Sequence, residues 1–309
     1  MLYNLSVACF PNVLYFYGVP RNIHYDNFLF VMIVINAVIA VVASCSNAVV
    51  IYTISRTPSL QTPSNILILG LAISDFSIAI FAQPIYCLFK FYELRRNIDL
   101  YCSLGKVLIY IALSLLSISF LTLTGITTDR FLAVHLHLRY QVVITTKRVG
   151  MALGFFCLFG PSSAFLIITF IRSIETFLTA ICLFVIMFSI NLYFIFRVCL
   201  VIRRHSLQIQ SQQSVQQPMN MVRFRKSANT MFLVIGAFVL CYFPCICTVV
   251  PFSTAQGRSY GIRIAFIVSE AILSINGVLN PMLYCWRIEG MRNAAVTSLR
   301  KIFGREIVN

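Results

Sequence analysis

VLIYIALSLLSISFLTLTGITT, residues 107–128, contains no Lys, Arg, Asp or Glu and then stops on Asp129-Arg130-Phe131. A helix needs roughly 20 apolar residues to cross about 30 Å of hydrocarbon, and this run meets that length. Working outward, the same reading recurs. Uncharged stretches occupy 27–55, 149–171, 176–196 and 227–257, and two more, 57–89 and 264–286, are interrupted only by Asp75 and Glu270. Each is long enough to span with some tilt. The ten-residue alternating segments of an outer-membrane barrel are absent, and helices satisfy every backbone group inside lipid. The sequence predicts an all-α integral membrane protein, a seven-transmembrane-helix bundle.

Composition agrees. Of 309 residues, 59% are hydrophobic and 11% charged, with 24 Lys and Arg against 9 Asp and Glu. Soluble domains run at about 45–50% apolar and about 25% charged, so a water-facing globule, a disordered chain and a collagen are all excluded. The net charge of +15 does not gather on one solvated face, as a nucleic-acid surface requires, but punctuates the apolar runs. Seven spans put the termini on opposite sides. With the N-terminus outside, sixteen Lys and Arg fall on the cytoplasmic side and eight outside, which satisfies the positive-inside rule.

The chain divides into an extracellular N-terminus (1–26), the seven-helix domain (27–287), and an amphipathic helix with cytoplasmic tail (288–309). Asn4-Leu5-Ser6 is a glycosylation sequon on the outer side. No basic segment precedes Leu14–Tyr17, so the first span is expected to act as its own insertion signal. The fifth-to-sixth connection is Gln-rich over Ser206–Gln217 and flanked by Arg203-Arg204 and Arg223-Phe224-Arg225-Lys226. After the last span, Ile288, Met291, Ala295, Leu299 and Ile302 recur at three- and four-residue steps among basic residues, the pattern of a helix lying on the inner leaflet.

Ionisable residues at membrane depth are costly, so each marks a functional position by default. Asp75 lies within Leu71-Ala72-Ile73-Ser74-Asp75, with Asn47, Ser119, Asn276 and Asn280 at comparable depths. Such oxygens suit a small hard cation such as Na⁺, or a polar network joining helices. Asp129-Arg130 offers an arginine an exchangeable partner, whereas an arginine that only snorkels needs none. Cys241-Tyr242-Phe243-Pro244 and Asn280-Pro281-Met282-Leu283-Tyr284 place prolines inside the sixth and seventh spans, where each removes a backbone bond and kinks the helix.

In this order, these motifs resemble the rhodopsin-like (class A) G-protein-coupled receptors over about residues 28–303. Asn47, Leu71–Asp75, Asp129-Arg130-Phe131, Leu138 with Tyr140, Tyr193, Phe243-Pro244 and Asn280–Tyr284 carry the resemblance. It implies a cell-membrane receptor in which an extracellular ligand favours an outward swing of the sixth helix and a heterotrimeric G protein enters the opened cleft. No bond is made or broken, so enzyme chemistry is not expected. By resemblance Arg130 leaves Asp129 for Tyr193 and Tyr284, Leu138 fills a pocket on the G protein, and Tyr242 and Pro244 are switch residues of the sixth helix. Asp75, Ser119, Asn276 and Asn280 match the family's allosteric Na⁺ site. No other cofactor is implied. The expected partners are the G protein, the ligand and membrane lipid.

Several positions depart from the pattern. Phe131 replaces the usual Tyr, Tyr242 the sixth-helix Trp, and Phe224 stands where an acid often pairs with Arg130, so a weakly latched resting state is expected. The second outer loop, about Arg172–Glu175, is short and has no Cys, which removes the family's usual disulfide and leaves Cys9–Cys102 as the outer pairing. The short loop and the absence of a fifth-helix proline resemble the melanocortin, adenosine and lysophospholipid/cannabinoid group. The expected pocket is lined by Ile109, Ala112, Leu113, Leu116, Phe177, Ile181, Cys245, Val249, Phe266 and Leu273, with Glu270 the single charge. That lining suits an apolar or lipid-like ligand with a cationic group near Glu270, while Arg263 and Arg95 are the alternative structural partners of that acid. A seven-helix transporter or channel is the competing class, but repeated halves and an even span count are missing.

Overall fold

A computed structural model describes residues 22–136, 139–170, 259–287 and 289–302, together with most positions of 182–200 and 236–252. All regular structure among these residues is helical. The longer helices are α1 (Ile23–Arg56), α2 (Pro63–Leu94), α3 (Ile98–Leu136), α4 (Thr146–Phe170), α5 (within 182–200), α6 (Val239–Phe252), α7 (Tyr260–Arg287) and α8 (Glu289–Ile302), with a single helical turn at Tyr140–Val143 between α3 and α4. Five of them, α1 to α4 and α7, are long and apolar enough to cross a membrane, and α6 is a shorter apolar helix. The second outer loop and the Gln-rich connection lie outside the described residues.

Local chemistry sets the helix ends. Asn22 caps α1 by accepting the His24 N–H at 2.9 Å, with Asp26 in the first turn and Arg56 in the last, each favourable to the helix dipole. Thr62 caps α2, and Pro63 occupies its first turn, where a missing N–H costs nothing. Pro84 then sits mid-helix, and the backbone widens into a π turn at Ile78–Ala82 just before it. The helices also extend past the uncharged stretches: Lys90 and Glu93 belong to α2, and Asp99 and Lys106 to α3.

One core joins most of the bundle: Val50 and Ile54 (α1), Leu67 and Leu71 (α2), Phe120 and Leu123 (α3), Val149 (α4), Phe188 (α5), Tyr242 (α6) and Tyr284 (α7). Gly160 brings α4 close to α3, since a Cβ there would meet the Ser114 carbonyl oxygen at 2.7 Å. The face of α8 does more than rest on a leaflet. Met291 is fully buried in the same core as Val50, Ile54 and Leu60, so the helix is docked beneath α1.

Candidate functional site

The polar residues inside the bundle form three levels. At one end, Asp129 is buried at the foot of α3. Its two carboxylate oxygens take separate donors: Tyr140 Oη at 2.6 Å and Ser64 Oγ from α2 at 2.7 Å. Arg130 Nε lies 3.8 Å from Asp129 Oδ2, an ion-pair distance too long for a hydrogen bond. Burial and the Asp129 carboxylate push the Tyr140 phenol up to about 12, so it remains a donor at physiological pH. Phe131 packs against Phe194 of α5 with ring centroids 5.9 Å apart. Tyr193 is 57% exposed, whereas Asn191 on the same helix is buried. Leu138 lies outside the described residues.

The middle level is organised by a proline. Pro281 has no N–H to give the Gly277 carbonyl one turn before it. Asn47 Nδ2 supplies the missing donor at 2.8 Å and binds Ala43 O at the same distance, tying α1 to α7. Asn280 Nδ2 donates to Asp75 Oδ2 at 2.8 Å, and Ser119 Oγ to Ser74 Oγ at 2.9 Å. The amide oxygens of Asn47 and Asn276 are buried without a hydrogen-bond partner. One carboxylate, hydroxyls and spare amide oxygens form a set of hard donors that fits Na⁺. Tyr242 and Tyr284 are buried nearby in the core, and Thr248 shares a 2.8 Å hydrogen bond with Ser269, joining α6 to α7 beside Pro244 and Cys245.

At the far end sits a cluster whose organising acid, Glu93, was not read from the sequence. Glu93 is fully buried and receives Tyr25 Oη at 2.6 Å, Arg263 Nη1 at 3.0 Å and Lys90 Nζ at 3.2 Å. Glu270 accepts Tyr86 Oη at 2.9 Å, with Lys90 Nζ 4.0 Å away. The partners of Glu270 are therefore Tyr86 and Lys90, and Arg263 belongs to Glu93. The cluster links α1, α2 and α7, and Arg96–Asp26 at 2.9 Å adds a further tie to α1.

Of the residues expected to line a pocket, Ile109, Ala112, Leu113, Leu116, Cys245, Val249, Phe266, Glu270 and Leu273 are all partly buried. Leu116 and Leu273 pack on the core, and Phe266 stacks on Phe252 with centroids 4.4 Å apart. Phe177 and Ile181, with Asn4 and Cys9, lie outside the described residues. Cys102 is disulfide-bonded, and none of the eight described free cysteines is its partner.

The family described as 7 transmembrane receptor (rhodopsin family) matches residues 46–284, which takes in all three levels except the α1 start. The chain belongs to that family. This receptor is 25% identical to human G-protein coupled receptor 12 (Homo sapiens) over 272 residues, covering 81% of this chain and 76% of the relative. It is 26% identical to human G-protein coupled receptor 6 over 266 residues, covering 80% and 69%. It is 22% identical to melanocortin receptor 4 of Danio rerio over 262 residues, covering 82% and 79%. Receptor function therefore holds over transport, and an extracellular ligand and a G protein are its partners at the level of the family.

The geometry adds contacts that the motifs did not carry. Ser64 and Tyr140 as holders of Asp129, Asn191 as a buried polar residue of α5, and the Tyr25–Lys90–Glu93–Arg263 cluster all come from the structure. Helical spacing was the available signal for the last. Ala79, Ala82, Tyr86, Lys90 and Glu93 share one face of α2, and all are buried.

Proposed function

We propose that the receptor sits in the cell membrane with its N-terminus outside, and that a ligand entering between α3, α6 and α7 shifts the Asp129–Arg130 level toward a G-protein-accepting state. The observation that carries this reading is the unequal hold on the two residues: Asp129 has two short hydrogen bonds, while Arg130 is kept only at 3.8 Å. An arginine held that loosely is free to exchange partners without breaking a hydrogen bond to Asp129. The ligand class favoured by the mostly apolar lining and by Glu270 is an apolar molecule with a cationic group.

Asp75, Ser119, Asn276 and Asn280 are proposed to hold an allosteric Na⁺, with Asn47 supplying a further amide oxygen. A bound cation neutralises the buried carboxylate and opposes collapse of α7 onto it, favouring the resting state. Second-messenger output measured without ligand, in NaCl and in choline chloride, tests both statements. Wild-type output should exceed mock-transfected cells and rise when Na⁺ is withdrawn; Asp75→Asn should lose the Na⁺ response. Output equal to mock overturns the weak latch, and a preserved Na⁺ response in Asp75→Asn overturns the cation site.

Cys9 is proposed as the partner of Cys102, and Asn4 as glycosylated. Both follow from an outside N-terminus, which the distribution of Lys and Arg supports. Peptide mapping of surface receptor under non-reducing conditions should recover a cross-linked Cys9–Cys102 peptide and a glycosidase-sensitive mass at Asn4. A free Cys9 thiol, or an Asn4 peptide of unmodified mass, removes the corresponding claim.

A further inference from the structure

We infer that the lipid-facing groove between α3 and α4 holds the tail of a long-chain fatty acid, with the carboxylate on Lys106. The groove is a cavity of about 370 Å³, lined by Tyr110 of α3 and by Pro161, Ser162, Phe165 and Leu166 of α4. It opens away from the bundle core, since Phe165 and Leu166 are 61% and 53% exposed and Tyr110 38%. In a chain that spans a membrane, such faces meet lipid tails.

Packing accounts for the shape of the groove. α3 and α4 approach closely at Gly160, where a Cβ would meet both the Ser114 carbonyl oxygen and Ile118 Cγ1 at 2.7 Å. The lining begins at the next residue of α4, Pro161, and at Tyr110, one turn from Ser114 toward the Glu93 end of the bundle. The close approach is the floor, and the walls rise from it toward that rim. On α4 the lining forms two rows at four-residue spacing, Pro161–Phe165 and Ser162–Leu166, so it runs along the helix axis. A groove parallel to the helices is also parallel to the acyl chains of the bilayer, and an extended tail enters it without turning.

The mouth of the groove carries the charge. Lys106 lies four residues before Tyr110, on the same face of α3 and one turn nearer the rim. Helical side chains lean toward the N-terminus of their helix, which brings the Tyr110 phenol toward Lys106. Lys106 is exposed and belongs to none of the ion pairs among the described residues. Asp99, the acid on the same face, is seven residues further out, about 10 Å along the axis. One ammonium and one phenol give a carboxylate its counter-charge and a second donor. A phosphate monoester carries close to two charges, more than a single lysine neutralises. The groove is separate from the ligand pocket proposed above, which lies around Ala112 on the opposite face of α3.

The test is photolabelling of the full-length receptor in phosphatidylcholine nanodiscs with a palmitate that carries a diazirine midway along its tail, followed by peptide mapping. Mildly alkaline buffer keeps the acid ionised and the lysine cationic. Label should concentrate on the peptide that contains Pro161–Leu166. Unlabelled palmitate should displace it at roughly one-tenth of the concentration that hexadecanol needs, because the alcohol has the tail without the charge. Lys106→Gln should remove that preference, and Lys106→Arg, which keeps the charge, should retain it. Leu166→Trp fills the groove and should clear the label from that peptide. Label spread over α1 and α4 in proportion to their exposure, label that persists in Leu166→Trp, or equal displacement by acid and alcohol overturns the site. A preference that survives in Lys106→Gln, or is lost equally in Lys106→Arg, overturns Lys106 as the partner of the carboxylate. Hexadecyl phosphate acting at a lower concentration than palmitate makes the headgroup a phosphate and overturns the fatty acid.

Discussion

Glu93→Gln is expected to remove most of the receptor from the cell surface. Glu93 is wholly buried and is the shared partner of Arg263 and Lys90, themselves 2% and 8% accessible in their side chains. Neutralising it leaves the buried Arg263 without its carboxylate and Lys90 with only Glu270, 4.0 Å away. Removing one member of a buried ion pair costs about 3–5 kcal/mol, against a total stability of about 5–15 kcal/mol for a folded domain. The hydrogen bond from Tyr25 survives in part, because the amide oxygen still accepts it, so the loss is chiefly electrostatic. Arg263→Met should be milder, since Lys90 and Tyr25 remain to hold the carboxylate. The triple replacement Glu93→Leu, Arg263→Met and Lys90→Met should recover much of the loss, because apolar residues of similar size replace such groups at little cost when all leave together. Surface biotinylation and thermal unfolding in detergent read all three. A Glu93→Gln receptor that unfolds within a degree of wild type refutes the clamp.

Arg130→Ala is expected to abolish second-messenger output while leaving the receptor at the surface. Its side chain is 26% accessible and its Nε makes no hydrogen bond, so its removal deletes the group proposed to meet the G protein with little effect on packing. Tyr140→Phe should act in the opposite direction. It removes a 2.6 Å hydrogen bond to a carboxylate, an interaction worth about 1.5–3 kcal/mol, and leaves Asp129 with Ser64 alone. Where that bond is specific to the resting state, ligand-independent output should rise roughly tenfold or until it saturates. Unchanged output in Arg130→Ala at equal surface density refutes coupling through that arginine; reduced output in Tyr140→Phe refutes the latch.

The membrane class, the runs that became α1 to α4 and α7, and the buried acids Asp75 and Asp129 were legible because each is a local or strongly periodic signal. Apolar runs report burial in lipid, and Pro281 reports a freed carbonyl wherever it lies in a helix. The Glu93 cluster was hidden because hydropathy weighs each charge alone. Lys90 and Glu93 read as the solvated end of a span, while their partners, Tyr25 and Arg263, are far away in sequence. Only the assembled bundle shows that the charges cancel, so that α2 continues to Leu94 without exposing them. Ser64 was obscure for the same reason, being a common helix-start residue until α2 is placed against the foot of α3, and Tyr140 was legible as a motif position but not as a donor to Asp129.

The lengths of α1 and α2 bear on how the receptor meets membranes of different thickness. At 34 and 32 residues they measure about 51 Å and 48 Å, against about 30 Å of hydrocarbon. Their ends therefore stand in the headgroup layers, with Arg56 at one side and the Glu93 cluster at the other. A thicker bilayer cannot be met by sliding one helix past another, because Tyr25, Glu93 and Arg263 fasten three of them together at one rim. The mismatch is taken up by tilt of α1, α2 and α7 as a single plate, with α8, docked under α1 through Met291, carried along at the opposite surface.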